Sequence, residues 1–244
     1  MSIIEIKNVY FKRINKIILE DISITIKKNQ ITTIMGPSGC GKTTLLKLIN
    51  KQLVPNSGSI KINGTCLNKL NKYEINNIRK NMGLLFQNGA LFTDLNVYEN
   101  IAFSIKEHTN LSHDIIEDLV LMKLESVGLK HAKLLMPDQL SLGMVKRIAL
   151  ARTIALDPGI IMYDEPFSGQ DPISINVLIK LILLLNKLSK ITTIIVSHNI
   201  HETLAISDYI YIINNNKIIA EGTSNDIKKN KNHFVKKFIK INNK

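Results

Sequence analysis

Residues 31–44 read ITTIMGPSGCGKTT, a β-branched run followed by a glycine-rich turn. The turn matches the pattern GxxxxGK[ST] between a predicted strand and a predicted helix, which is the setting of phosphate-binding loops. Its glycines let successive backbone N–H groups converge on phosphate oxygens, and the N-terminus of the following helix favours negative charge. We therefore predict a nucleotide-phosphate site formed by Gly36, Pro37, Ser38, Gly39, Cys40, Gly41, Lys42, Thr43 and Thr44.

Polar and charged residues in this turn and at the end of a later strand predict a hydrolytic reaction. Lys42 places a positive charge at the β- and γ-phosphates, and Thr43 offers a hydroxyl to Mg²⁺. A second metal anchor is expected where an apolar strand ends in an acidic residue, and the run 160–163 leads directly into Asp164. Glu165 comes next, placed to polarise an attacking water. The pair therefore predicts hydrolysis and not binding alone.

The composition is that of an ordinary globular protein. Of 244 residues, 45% are hydrophobic and 21% are charged, which excludes disorder as the main state and favours one α/β domain with an insertion. The richest apolar stretch, 177–188, is interrupted by lysines, and the charged N-terminus does not resemble a secretory signal. Cys40 and Cys66 match neither a metal-ligand spacing nor a disulfide framework. These features predict a cytoplasmic chain that does not itself cross a membrane.

The net charge of +12 has two interpretations. Such a charge is compatible with a nucleic-acid or anionic-lipid partner. Alternatively, the chain is rich in Ile, Asn and Lys, the residues of A+T-rich codons, so the charge reflects composition. With no Trp and 5% aromatic residues, the sequence lacks the aromatic platforms of nucleic-acid binders, and no nucleic-acid partner is predicted.

The pattern along the chain predicts three regions. Period-two runs within the first thirty residues, such as Ile22, Ile24 and Ile26, predict antiparallel strands with one exposed face. Nearly continuous apolar runs at 82–87, 160–164 and 191–197 predict parallel strands buried on both faces, and Asp208–Gly222 predicts a hairpin. The stretch from about 96 to 155 predicts a helical insertion, with apolar residues at helical spacing. Those residues are Ile115, Leu119, Met122 and Val127.

Five features together resemble the ATP-binding cassette (ABC) ATPases. They are the phosphate loop, Gln87 at a strand end, the segment LSLGM from Leu140, the pair Asp164–Glu165, and His198 at a strand end. The resemblance implies an α/β fold with a P-loop core, namely a mostly parallel sheet, an N-terminal antiparallel β subdomain and a helical subdomain. It covers residues 1–244 as a single domain, with the helical subdomain at about 96–155.

The resemblance also implies roles for these residues. ABC ATPases close head to tail as dimers over two ATP molecules, so Ser141 and Gly143 of one copy would complete the site of the other. Lys42, Thr43, Gln87 and Asp164 would hold phosphates and Mg²⁺, Glu165 would activate water, and His198 would contact the γ-phosphate. Asp171 would signal across the dimer. Gln87 and the segment 89–92 would lie where a permease helix docks.

Segments such as FQNGALF at 86–92 and GQDPI at 169–173 resemble a narrower group, the ATPases of Mla and Mce-associated phospholipid transport. This implies phospholipid transport between the bacterial inner and outer membranes, by a chain peripheral to the cytoplasmic face of the inner membrane. The implied partners are a second copy, an integral membrane permease, an Mce-domain lipid-binding subunit and a small STAS-type subunit, without direct cargo contact. The alternatives are the ATPase of another ABC importer and a soluble ABC ATPase.

Two parts of the sequence differ from the common family pattern, and a third fits two interpretations. The family's LSGGQ signature has Leu142 in place of its first glycine, and Met144 in place of glutamine. At the adenine platform, where many ABC ATPases have an aromatic residue, the chain has Arg13, whose guanidinium can stack on a base. The C-terminal segment places Phe234 and Phe238 on one helical face, which fits either packing on the core or contact with anionic lipid.

Overall fold

A computed structural model describes residues 1–241, so the last three residues of the predicted domain, 242–244, lie outside the described part. The strands within residues 1–241 are β1 Ser2–Arg13, β2 Lys16–Lys27, β3 Ile31–Met35, β4 Ser57–Ile62, β5 Thr65–Cys66, β6 Met82–Leu85, β7 Ile160–Asp164, β8 Thr192–Ser197, β9 Tyr209–Asn214 and β10 Lys217–Gly222. The α-helices of the same part are α1 Lys42–Ile49, α2 Lys72–Lys80, α3 Val97–His108, α4 His113–Ser126, α5 Leu142–Thr153, α6 Pro172–Leu188, α7 Ile200–Ile206, α8 Ser224–Lys228 and α9 His233–Ile241. Short 3-10 helices span Leu67–Lys69, Lys130–Ala132 and Pro137–Gln139.

The N-terminal strands form a four-stranded antiparallel sheet in the order β2-β1-β4-β5. Ile4 pairs with Ile26 and Ile6 pairs with Ile24, and all four side chains are buried on the same face. The period-two prediction is confirmed, because alternate residues of a strand point to opposite faces and only one face of this sheet is covered.

The second sheet has six strands in the order β10-β9-β3-β8-β7-β6. All neighbouring pairs are parallel except the β9–β10 hairpin, whose turn residues Asn215 and Asn216 both have positive φ. Strands β3, β7 and β8 are buried along their whole length, as their continuous apolar runs predict. The carboxyl ends of these parallel strands lie at one edge, where α/β proteins bind ligands.

Helices α3, α4 and α5 share a hydrophobic core, which includes Ile101, Val120 and Ile148. In α4 the predicted apolar face is wrong in part, because Ile115 and Met122 are 47% and 62% exposed. The residues that α4 buries are Ile116, Val120 and Leu124. This helix is apolar on several sides, so its periodicity does not select one face.

The C-terminal helix α9 packs on the core formed around β9 and β10. Val235 is fully buried there, and Phe238 and Ile239 contact the same cluster. Phe234 stacks on Phe238 with ring centroids 5.7 Å apart. Packing therefore occupies the apolar face of this helix, which is the first of its two interpretations. Among residues 1–241, no helix combines the length and apolarity that a membrane span requires.

Candidate functional site

The turn between β3 and α1 has the backbone conformation of a phosphate cradle. Gly39 and Gly41 have φ values of 80° and 102°, which residues with a β-carbon rarely adopt. A β-carbon at Gly41 would also lie 3.0 Å from the carbonyl oxygen of Ile18. Glycine is therefore required there, because the loop approaches the antiparallel sheet too closely for a side chain. Cys40 is buried in the same turn, and this burial raises the pKa of its thiol.

Lys42 is buried at the first position of α1. Its ammonium donates to the carbonyl oxygens of Gly36 at 2.8 Å and Pro37 at 3.1 Å. It also lies 3.3 Å from Oε1 of Glu165. These contacts compensate for the desolvation of a buried charge. They place the charge inside the loop, where a phosphate would meet it.

The Thr43 hydroxyl donates to Oδ1 of Asp164 at 2.9 Å. Asp164 ends β7 and is buried, and this burial raises the pKa of its carboxyl group. Hydroxyl, carboxylate and amide oxygens are ligands that Mg²⁺ accepts. Thr43 and Gln87 line one cavity, and Asp164, which does not line it, is joined to it through its hydrogen bond with Thr43. Within residues 1–241, no cluster of three His, Cys, Asp or Glu side chains could hold a metal. The oxygens of Thr43 and Asp164 fit a Mg²⁺ ion that takes its remaining ligands from phosphate and water.

Glu165 follows β7 in a left-handed conformation with φ of 48°, which is uncommon for a residue with a side chain. Its Oε2 accepts from the backbone N–H of His198 at 3.1 Å and lies 2.8 Å from the His198 ring Nδ1. Its backbone N–H donates to the Val196 carbonyl at 2.9 Å. Strained residues of this kind cluster at functional sites, where the surrounding structure holds them in place.

One cavity of about 260 Å³ brings most of the predicted residues together. It is lined by Ile18, Ser38, Gly39, Gly41, Lys42, Thr43, Thr44, Gln87, Glu165 and His198. Arg13 is not among the lining residues; it is exposed at the end of β1, where it pairs with Lys16. Ile18 of β2 lines the cavity from the antiparallel sheet. The sequence did not single out this residue, because apolar residues are frequent throughout this chain.

Ser141, Gly143 and Asp171 do not line this cavity. Ser141 and Asp171 are exposed, and each caps a helix through its side chain, α5 and α6 respectively. The two caps are neighbours, since a β-carbon at Gly143 would lie 2.5 Å from Oγ of Ser174. Hydrogen bonds from Ser174 lower the pKa of Asp171. Leu142, which lies between Ser141 and Gly143 in the sequence, is 43% exposed.

One buried residue beside the site was missed by the sequence analysis. Lys146 of α5 is fully buried, and its ammonium donates to the backbone carbonyl of Gln87. The available signal was its position: it follows Gly143 by three residues and precedes Leu150 by four, and both of those residues are buried. A lysine on the buried face of a helix requires a polar partner.

Comparison with known families identifies the fold. The ABC transporter family matches residues 19–168, which include the phosphate loop, the signature segment and the Asp164–Glu165 pair. The chain belongs to the ABC transporter family. Membership of this family makes it an ATP-binding subunit with ATPase activity. The predicted fold, with a mostly parallel P-loop sheet, an antiparallel sheet and helices, is confirmed by solved members of the same family.

Several relatives carry the name intermembrane phospholipid transport system ATP-binding protein MlaF. The protein from Haemophilus influenzae is 52% identical over 239 residues, covering 98% of this chain and 90% of the relative. The protein from Escherichia coli K12 is 45% identical over 238 residues, covering 98% and 88%. The predicted resemblance to the Mla group of ABC transporter subunits is therefore confirmed.

Two solved structures show the same fold. The chain superposes on cbiO1 from Clostridium perfringens, part of the cbiONQ ABC transporter complex, with a TM-score of 0.86 and 27% identity, covering 94% of this chain and 92% of the other. It also superposes on an ATP-binding cassette in a dimeric post-hydrolysis state bound to ADP and Pi, with a TM-score of 0.83 and 28% identity, covering 91% and 98%.

Proposed function

We propose that this chain hydrolyses ATP to power phospholipid transport between the inner and outer membranes of a bacterium. The observation that carries the ATPase part is the single cavity in which Lys42, Thr43, Gln87, Glu165 and His198 converge. The observation that supports the cargo is the 52% identity to MlaF over nearly the whole chain. The ABC ATPase does not contact the lipid in this proposal, because its ligand is the nucleotide.

Each residue has a task in this proposal. Lys42 and the backbone N–H groups of the loop bind the phosphates of ATP, and Glu165 takes a proton from the attacking water. His198 is held on Glu165 and faces the γ-phosphate. Thr43, Gln87 and Asp164 would hold Mg²⁺, which would supply positive charge to neutralise the phosphates.

The working unit of the proposal is a head-to-tail dimer. Ser141, Gly143 and Asp171 lie outside the cavity of their own chain. Ser141 and Asp171 are exposed, so their side chains are available to the site of a second copy, and Gly143 lies buried beside Ser141. One of the related cassettes is dimeric with ADP and Pi bound. ATP between the copies would hold them together, and loss of the γ-phosphate contacts would release them.

A groove beside the site supports a permease as the membrane partner. It has a volume of about 810 Å³ and lies between α2, β6, α3 and α5. Its apolar wall includes Tyr73, Phe92 and Phe103, which are 74%, 40% and 43% exposed. Exposed aromatic side chains in a groove are typical of helix-docking surfaces. A cytoplasmic helix of a permease resembling MlaE is the proposed occupant, which places this chain peripherally at the cytoplasmic face of the inner membrane.

The remaining proposed partners are an Mce-domain subunit resembling MlaD and, as a further subunit, a small STAS-type protein resembling MlaB. Their presence in the purified complex would distinguish phospholipid transport from the alternative, the ATPase subunit of another ABC importer.

A phosphate-release assay with the purified chain, ATP and Mg²⁺ tests the ATPase assignment to this site. We expect Lys42→Met to lower turnover by about 100-fold or more, because it removes a buried charge aimed at the phosphates. Lys47→Met is the matched control, since Lys47 lies on the same helix and is exposed. Equal turnover in the Lys42→Met and control proteins would refute the site.

Affinity purification from gently solubilised membranes tests the transport assignment. Recovery of a polytopic permease together with an Mce-domain protein supports phospholipid transport, and a permease of another class would replace that cargo. Phe103→Glu is expected to reduce recovery of the permease by about tenfold or more, because it places a charge in an apolar groove. Phe103→Leu is the control that keeps the groove apolar. Unchanged recovery with Phe103→Glu would contradict the docking groove.

A further inference from the structure

The loop 86–92, which follows β6 and carries Gln87, turns its backbone carbonyls towards α5. The carbonyl of Gln87 accepts from Lys146. The carbonyls of Gly89 and Ala90 accept from Nη2 and Nη1 of Arg152, each at 2.9 Å. Two cations of one helix thus hold three carbonyls of one loop.

The loop needs such support because its backbone is strained. Gly89 has φ of 76°, and Ala90, which has a β-carbon, has φ of 48°. The left-handed conformation is unfavourable for a residue such as alanine, because its β-carbon approaches the following carbonyl oxygen. A β-carbon at Gly89 would lie 2.8 Å from Cγ1 of Val145, so the loop also packs directly against α5. Conformations of this kind persist where the surroundings over-determine them.

Lys146 connects the loop to the catalytic glutamate. Its ammonium lies 3.5 Å from the backbone carbonyl oxygen of Glu165, at the long limit of a hydrogen bond, in addition to its bond with the Gln87 carbonyl. Burial lowers the pKa of Lys146, and the carboxylates of Asp164 and Glu165 oppose that change. A buried ammonium has a high desolvation cost, so these carbonyl contacts determine where it can lie.

Arg152 connects the loop to the proposed docking groove. Its guanidinium lies over the ring of Phe92, 5.5 Å from the ring centre, and both residues line the groove. Asn100 of α3 holds the far end of the loop, where its side chain accepts from the Phe92 N–H at 2.8 Å and donates to the Phe92 carbonyl at 3.1 Å. The loop is therefore bonded to the helical region at both ends.

We infer that Lys146 and Arg152 are positioning residues that clamp the loop 86–92 to α5, so that Gln87 and Glu165 keep the geometry for hydrolysis only while α5 keeps its place. The inference rests on the proposed function, because it assigns the contacts of Lys146 and Arg152 to the same ATP site. Helix α5 begins beside Ser141, which in the proposed dimer meets the nucleotide of the second copy.

Substitutions of Lys146 test the clamp. Lys146→Met keeps the length of the side chain but has no donor, whereas Lys146→Gln keeps an N–H donor without the charge. We expect Lys146→Met to lower kcat by about tenfold or more and to change the KM for ATP by less than about twofold, because loop 36–43 still binds the phosphates. Lys146→Gln should recover kcat to within about threefold of wild type, since a neutral donor still pairs with the Gln87 carbonyl.

Hydrogen exchange provides a readout that a general loss of stability does not imitate. Arg152→Lys keeps a charge but cannot hold two carbonyls in one plane or stack on Phe92 in the same way. We expect faster exchange of the amides of residues 88–91 in Lys146→Met and Arg152→Lys, with α6 and the central strands unchanged. Faster exchange throughout the protein would instead indicate a structural role and would overturn the inference.

The outcomes separate this inference from the proposed function. If wild type lacks ATPase activity, the function fails, and the exchange of residues 88–91 still decides whether the clamp exists. If wild type is active and folded Lys146→Met has a kcat within twofold of it, the clamp is wrong. Should Lys146→Met fail to fold, Arg152→Lys decides: wild-type exchange of the amides of residues 88–91 in that variant would overturn the clamp.

Discussion

The two halves of the predicted ATP site differ in the burial of their polar side chains and in the residues to which those side chains are bonded. In the half around the phosphate loop, Lys42, Asp164 and Glu165 are buried and bonded to residues distant in the sequence. In the half around the signature segment, Ser141 and Asp171 are exposed, and their side chains accept hydrogen bonds from residues three positions away. The first half is organised within one chain, whereas the second is organised only as two helix caps.

This difference indicates how the site is divided. Burying charges requires partners, so a half that contains three of them must be built inside the fold. Helix caps need only local partners, and their exposed side remains free for another molecule. In the proposed dimer, one chain would hold a nucleotide before it meets a second copy, and the second copy would then complete the site.

Glu165→Gln tests the buried half and has the largest expected effect. Glutamine keeps the size of the side chain but cannot accept the proton from water, so we expect kcat to fall by about 100-fold or more. ATP binding, measured by equilibrium dialysis, should be retained. Glu125→Gln, at an exposed position of α4, is the control. Wild-type turnover in Glu165→Gln would remove this residue from the reaction.

Mixing two inactive variants tests whether the halves come from different chains. Ser141→Asp can still cap α5, but it would place a negative charge against the phosphates of the partner's ATP. When Ser141→Asp protein is mixed with Lys42→Met protein, random pairing makes half of the dimers mixed, and each mixed dimer has one complete site of two. By the symmetry of the dimer, about a quarter of the wild-type rate is therefore expected. The measurement is phosphate release after mixing. An inactive mixture, or an active Ser141→Asp protein alone, would contradict the division.

Asp164→Asn tests how much the buried carboxylate of Asp164 lowers the free energy of unfolding, and it has the smallest expected effect. Burial raises the pKa of Asp164, so the folded protein retains this proton at pH values where the unfolded chain has lost it. The free energy of unfolding therefore decreases as pH rises through that interval, and at neutral pH the carboxylate destabilises the fold. We expect Asp164→Asn to raise Tm at pH 7 by about 2–4 °C, equivalent to about 1 kcal/mol, and to flatten this pH dependence.

The control for that measurement is Asp94→Asn, since Asp94 is exposed in a loop. Scanning calorimetry between pH 4 and 8 compares the three proteins. A lower Tm for Asp164→Asn at pH 7 would show that the Thr43 hydrogen bond outweighs the desolvation of Asp164.

Much of the fold could be predicted from the chain because its strands have distinct patterns. The continuous apolar runs before Asp164 and Ser197 form buried parallel strands, and the alternating run at 22–26 forms a strand with one covered face. The burial of α4 could not be predicted, because an all-round apolar helix leaves the choice of face to its neighbours. Lys146 escaped notice for a related reason, since its partners are backbone carbonyls that carry no sequence signal.

The sequence by itself determined the phosphate loop, the acidic pair and the family, because glycine conformations, charge and strand ends are local properties of neighbouring residues. The tertiary structure decided which side chains share a cavity: it brought Lys42, Glu165 and His198 together and left Ser141 and Asp171 outside. It also decided that α5 holds the loop carrying Gln87. Contacts between residues distant in the chain depend on how sheets and helices pack, and the packing follows from the whole fold and not from any one motif.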